Sequence, residues 1–143
     1  MVKGTIRAES ALRESVQNRA LADFRFMLRR FLHFSEEAAV RAGVTAQQHQ
    51  LLLQIAGAPV GAVTAVGYLA DRLALKHNSV VELSTRCEEA GWIVRVHDPE
   101  NRRQVVLVLT AAGNRMLRKL SADHARELNE LGPELIRALQ EML

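Results

Sequence analysis

Trp92-Ile93-Val94-Arg95-Val96 and Val105-Val106-Leu107-Val108-Leu109 are two β-branched runs of strand length, with Asp98-Pro99-Glu100-Asn101-Arg102-Arg103 between them. Residues on pleated strands favour branched side chains, whereas a polar segment with Pro99 and Asn101 suits a turn. The stretch therefore reads as a β-hairpin whose tip spans His97 to Gln104. Everything on either side of it follows a helical period.

Working upstream from the hairpin, Gly91 ends a helix that starts at Asn78 or Ser79, where Ser79-Val80-Val81-Glu82 has the pattern of a capping box. Val80, Leu83, Cys87 and Ala90 recur at three- and four-residue steps on it, so that face packs inward. Asn78, Ser79, Glu82, Thr85, Arg86 and Glu89 take the other side. Before it lies a short helix from about Thr64 to Leu73, and before that another from Thr45-Ala46-Gln47-Gln48 to about Ala56. The Gly57-Ala58-Pro59-Val60-Gly61 segment separates these two. A long first helix runs from about Ser10 to Ala42, with Gly43 placed to end it in the left-handed conformation. All four phenylalanines fall between positions 24 and 34 of that helix.

Downstream of the hairpin, Thr110 caps a helix carrying Leu117, Leu120, His124, Leu128 and Leu131. Gly132-Pro133 is expected to break it and start a last helix, with Leu135, Leu139 and Met142 continuing the stripe.

The order is helix, helix, short helix, helix, hairpin, flanked by long terminal helices. This is the layout of a mainly α winged helix-turn-helix, a three-helix core plus a β-hairpin wing. From Val44 to Gly113 the residues resemble the MarR family of bacterial transcriptional regulators. The resemblance is carried by Val44-Thr45-Ala46-Gln47-Gln48, Leu69-Ala70-Asp71-Arg72-Leu73, Ser79-Val80-Val81-Glu82-Leu83 and Glu88-Glu89-Ala90-Gly91-Trp92-Ile93-Val94-Arg95. Its most specific pieces are Asp98-Pro99-Glu100-Asn101-Arg102-Arg103 and Leu109-Thr110-Ala111-Ala112-Gly113.

The resemblance implies a DNA-binding regulator, a repressor, acting as a homodimer on double-stranded DNA with a near-palindromic operator. It implies release by a small-molecule effector bound between the helical base and the winged unit. The helix after the tight turn would enter the major groove and the wing would reach the neighbouring minor groove or backbone. The DNA-binding residues expected on this basis are Lys76, His77, Asn78, Ser79, Glu82, Arg86, Arg95, Arg102 and Arg103. Asn and Ser pair with base edges, Glu82 accepts from cytosine, and Lys76 suits a phosphate. Arg103 matches the family's minor-groove arginine. The family has Asp at the position of Asn101, so here the partner of Arg103 lacks a full charge.

Terminal segments 1–43 and 110–143 are expected to form the dimerisation region around a DNA-binding domain at 44–109. Each carries apolar helical residues that the central unit has no evident place to bury, and a second copy of the chain would bury them. The alternative is a dimeric ligand-binding or protein-interaction module without DNA binding.

Composition restricts the remaining classes. Of the 143 residues, 48% are hydrophobic and 24% charged, with 19 Lys and Arg against 16 Asp and Glu. These proportions suit a soluble globular protein, and no apolar run is long enough for a membrane span. The net charge of +3 is too small to argue nucleic-acid binding by itself. Residues 95–103 hold Arg95, Arg102 and Arg103 against Asp98 and Glu100, so the wing itself adds little.

The single cysteine, Cys87, excludes an intramolecular disulfide framework, and the expected compartment is the cytoplasm. Cys87 lies on the inward face of its helix, which suits core packing better than a redox switch. His33, His49, His77, His97 and His124 show no metal-ligand spacing. His33 and His49 remain candidates for a polar role in an effector pocket. No phosphate loop, nucleophile elbow or acid pair stands out. Neither a cofactor nor an enzymatic activity is expected.

Overall fold

A computed structural model describes residues 2–143. The elements are α1 (Val2–Ala42), α2 (Ala46–Ala56), α3 (Val66–Leu73), α4 (His77–Glu89), β1 (Ile93–His97), β2 (Val105–Leu109) and α5 (Ala111–Met142). They form a mainly α-helical fold with a β-hairpin wing. Two compact units can be distinguished: Glu36–Ala122, and the segment up to Ser35 together with Asp123–Leu143.

In the first unit, Thr45 opens α2 with the full reciprocal cap. Its Oγ1 accepts from the Gln48 N–H at 3.1 Å, and Gln48 Oε1 accepts from the Thr45 N–H at 2.9 Å. Helices α2, α3 and α4 enclose Leu51, Leu52, Leu69, Val80, Leu83 and Cys87, and the wing adds Ile93 and Leu107 to this core. The turn between α3 and α4 is short. Ala74 takes the left-handed conformation (φ 53°), and the Leu75 N–H bonds the Ala70 carbonyl at 3.0 Å.

The hairpin is antiparallel, with Ile93 opposite Leu109, Arg95 opposite Leu107 and His97 opposite Val105. His97 therefore belongs to the strand rather than to the tip. Beside β2, Ala65 bridges to Val106, and Thr64 exchanges two bonds with Leu107 at 2.9 and 2.8 Å. Thr64 is thus part of the sheet edge and α3 starts at Val66, two residues later than the periodicity predicts.

At the base of the wing, Thr110 caps α5 by accepting from the Gly113 N–H at 3.0 Å and donating to the Gly91 carbonyl at 2.6 Å. Gly113 allows α5 to press on Trp92. A Cβ there would lie 2.1 Å from the Trp92 carbonyl oxygen. Gly91 takes φ +83° at the end of α4 and Gly43 takes φ +91° at the end of α1, as expected of left-handed helix stops.

In the second unit, His124 on α5 meets α1. Its Nε2 lies 2.7 Å from Ser35 Oγ, and its ring stands edge-on to Phe31 and Phe34 at 5.7 and 5.4 Å. Ala20, Leu131 and Ala138 are buried here.

Two expectations about the terminal helices are corrected. Helix α1 begins at Val2 rather than near Ser10. Residues 2–9 contain no proline, and only Gly4 among them is a poor helix former. Helix α5 does not break at Gly132-Pro133, since Pro133 lies inside a continuous helix. The lining positions Leu131, Leu135 and Ala138 keep their three- and four-residue steps across it. Pro133 and Asn129, whose carbonyl loses its partner, are exposed, so water can satisfy that carbonyl.

Candidate nucleic-acid interface

Helix α4 divides into three strips. Val80, Leu83, Ser84 and Cys87 face the core and are buried. Ser84 bonds back to the Val80 carbonyl at 2.6 Å, which lets a hydroxyl sit in the core without an orphan donor. Asn78, Ser79, Glu82 and Arg86 form an exposed strip. Val81, Thr85 and Glu88, again spaced four and three apart, form the strip next to the wing.

Three details of the expected helix are corrected. It starts at His77 with Lys76 at the cap, and no side chain closes that cap. Ser79-Val80-Val81-Glu82 is therefore internal helix and not a capping box. The tight turn fixes this start, because half-buried Leu75 packs against the core only three residues beyond Asp71-Arg72. Ala90, expected to face inward, is exposed beyond the helix end, and Ser84 takes the inward position instead.

Lys76, His77, Asn78 and Ser79 all lie exposed on the cap and first turn of α4. Arg102 and Arg103 are exposed at the wing tip. That tip is held by side-chain and backbone bonds among its own residues. Asp98 Oδ1 accepts from the Glu100 N–H at 3.0 Å, and Asn101 Oδ1 accepts from the Arg103 N–H at 3.2 Å. The Asp98 N–H donates to Gln104 O and the Gln104 N–H to Asn101 O, both at 2.9 Å. His97 Nδ1 lies 2.9 Å from the Arg102 carbonyl. Asn101 thus holds Arg103 through its backbone, a bond that needs no carboxylate.

Arg95 differs from the other named arginines. It is half-buried, and its side chain bonds Glu88, Thr85 and the Val81 carbonyl. Sequence reasoning named Arg95 but missed the strip it touches. The four- and three-residue spacing of Val81, Thr85 and Glu88 was the available signal.

Between Lys76 and Arg103 the chain carries five Lys and Arg and five Asp and Glu. Its whole net charge of +3 arises in residues 1–43, with eight basic and five acidic residues. Cys87 is fully buried, and that burial pushes its thiol up to about 11. Among the described residues, no group of His, Cys, Asp and Glu could hold a metal ion. No helix among them is long and apolar enough to cross a membrane.

Comparison with known proteins matches residues 42–104 to the model of the MarR family. The chain is 36% identical over 83 residues to YcgE of Bacillus subtilis (strain 168), an uncharacterized HTH-type transcriptional regulator, and the match covers 53% of each chain. The chain thus spans about half the length of this curated relative. AbsC, a MarR family transcriptional regulator from Streptomyces coelicolor, has a similar fold, with a TM-score of 0.69 and 21% identity over 82% of this chain and 79% of that one. CouR from Rhodococcus jostii RHA1, solved bound to p-coumaroyl-CoA, gives a TM-score of 0.65 and 23% identity over 78% of this chain and 79% of that one. Through its winged helix-turn-helix segment, residues 42–104, the chain is thus similar to the MarR family.

Proposed function

We propose that the chain is a sequence-specific transcriptional regulator that binds double-stranded DNA as a homodimer. The observation that carries this reading is a surface of two parts on the winged unit. One part is an exposed strip of short polar and charged residues on α4, and the other is an ordered hairpin tip that presents Arg102 and Arg103.

Helix α4 enters the major groove. Asn78, Ser79 and Glu82 read base edges, Arg86 reaches a base or phosphate, and Lys76 and His77 contact the flanking backbone. The wing lies along the adjacent backbone, with Arg103 in the minor groove and Arg102 on a phosphate. Repression follows when such a site overlaps a promoter.

The homodimer is supported by the helices outside the winged unit. Ile6, Leu12, Val16, Phe26 and Leu32 on α1, and Ile136, Leu139 and Met142 on α5, are between 37% and 66% exposed in the single chain. A second copy would cover them, and two-fold symmetry would set two recognition helices roughly 34 Å apart, one DNA turn. A small-molecule effector would release the DNA by binding one spacing of these helices better than another. The p-coumaroyl-CoA bound to CouR supports an effector of this general kind.

The experiment is titration of the purified protein on a duplex from its own upstream intergenic region, between about 50 and 200 mM salt. Tight binding that resists competitor DNA and weakens steeply with salt supports the reading, and Arg103→Ala is expected to remove most of it without altering the dimer. Weak binding, equal on any duplex and absent from a genome-wide fragment selection, would overturn it. The second reading, an interaction or ligand-binding module, would then stand. It draws on the five-to-five charge balance between Lys76 and Arg103.

A further inference from the structure

We infer that Arg95 is a positioning residue that locks the wing onto the recognition helix, and is not itself a DNA contact. The functional half of this inference rests on the DNA-binding reading above; the structural half does not.

Strand geometry already points Arg95 inward. Side chains alternate along β1, and partners directly opposite in an antiparallel pair share a face. Ile93 is 1% exposed, and Leu107, the partner of Arg95, is fully buried. Val94 and Val96 take the outer face at 43% and 42% exposure. Arg95 therefore projects from the core side of the hairpin, along the flank of α4.

There its guanidinium meets three acceptors spaced along α4. One terminal nitrogen donates to Thr85 Oγ1 at 2.9 Å and to the Val81 carbonyl at 3.3 Å. Both hydrogens of that nitrogen are thereby used. The other terminal nitrogen lies 3.4 Å from Glu88 Oε1. Glu88 also accepts from the Arg95 backbone N–H, through Oε2 at 3.2 Å. Thr85 in turn donates to the Val81 carbonyl at 3.1 Å, so a single network covers two turns of α4.

A planar fork with fixed donor directions can bridge acceptors one turn apart, which a lysine ammonium cannot do with the same geometry. The network fixes the angle between α4 and the hairpin. It acts before any DNA is present, so the helix and the wing tip are presented to two grooves at once without an ordering step on binding.

Two variants of the full chain, Arg95→Met and Glu88→Gln, test this. Arg95→Met keeps the length and apolar stem of the side chain, and Glu88→Gln changes a half-exposed position that can tolerate it without unfolding. In the free protein, both are expected to speed amide hydrogen exchange in β1 and β2 by about tenfold or more, as loss of charged hydrogen bonds requires. On the upstream duplex, both are expected to weaken binding in parallel at every salt concentration.

A phosphate-binding role for Arg95 predicts something different. Arg95→Met would then reduce the slope of log affinity against log salt by about 0.9 for each phosphate it ceases to neutralise. Glu88→Gln would tighten binding, because it removes a carboxylate and frees the arginine. Unchanged wing exchange in either variant, a reduced slope in Arg95→Met, or tighter binding by Glu88→Gln would overturn the assignment. If the wild-type chain binds no duplex, the DNA-binding reading fails, and the exchange measurement alone decides the clamp.

Discussion

The winged unit and the helical unit outside it treat their apolar residues in opposite ways. Between Glu36 and Ala122, Leu51, Leu52, Leu69, Ile93 and Leu107 are each 1% exposed or less, and helices and hairpin close over one core. In the other unit, small residues such as Ala20 and Ala138 are buried, while Leu12, Phe26, Leu32 and Ile136 are half exposed or more. A domain that buries its large side chains accounts for its own stability. A pair of helices that buries alanines and Leu131 but leaves Leu12, Phe26, Leu32 and Ile136 exposed does not, and a partner surface is the physical remedy. The contrast is the reason for the proposed division of labour, in which one unit would read DNA and the other would join two copies.

The comparison breaks first in the winged core. Leu107→Ala is expected to cost about 2–5 kcal/mol, since it leaves a cavity among α2, α4 and the wing. Chemical denaturation should show that loss at every protein concentration. Gly113→Ala comes next, at about 3 kcal/mol, because the new methyl meets the Trp92 backbone and not a movable side chain. The fluorescence of Trp92, the single tryptophan, reports the displacement directly.

A change in the other unit should behave differently. Ile136→Glu is expected to leave the fold of the winged unit intact and to weaken self-association by about a hundredfold, because an unpaired carboxylate would be buried in the contact. Sedimentation velocity over a concentration series checks it. A dimer that persists unchanged would remove the apolar exposure of α5 from the argument. Thr45→Ala, which deletes the capping box of α2, should cost about 1 kcal/mol in thermal unfolding, with no effect on association.

The smallest effect at neutral pH concerns Cys87, whose thiol burial raises from 9.0 to about 11. A raised thiol means that the folded chain keeps a proton which the unfolded chain releases. The resulting stability is complete below pH 9.0 and is lost as pH rises toward about 11. Wild type and Cys87→Ala should therefore run parallel at neutral pH and converge or cross in that alkaline window. Alkylation of the native thiol near pH 8 should be slow and should accelerate on unfolding.

Much of this architecture is legible in the sequence, because local chemistry and tertiary packing agree there. The Thr45 box, Gly43, Gly91, Thr110 and the two β-branched strands each have a local cause that the fold preserves. Local signals mislead where packing competes with them. Ser79-Val80-Val81-Glu82 has the spacing of a cap, yet the short turn through Ala74 and Leu75 starts α4 earlier. Pro133 disrupts one backbone bond on a solvated side, while the buried face of α5 continues past it. Thr64 completes a sheet edge through a partner 43 residues away, which no helical or strand period reveals. At the candidate interface, the residue types of α4 and the wing tip were legible. The commitment of Arg95 was not, because it depends on how a strand crosses a helix.

The most direct test of the account is the base spacing of the DNA that the chain selects. Fragments recovered from its own genome by the purified protein should share a near-palindrome with half-sites about one helical turn apart, as two recognition helices related by two-fold symmetry require. A selection with no shared sequence, or with a single half-site and no partner, would contradict a dimeric reader of DNA.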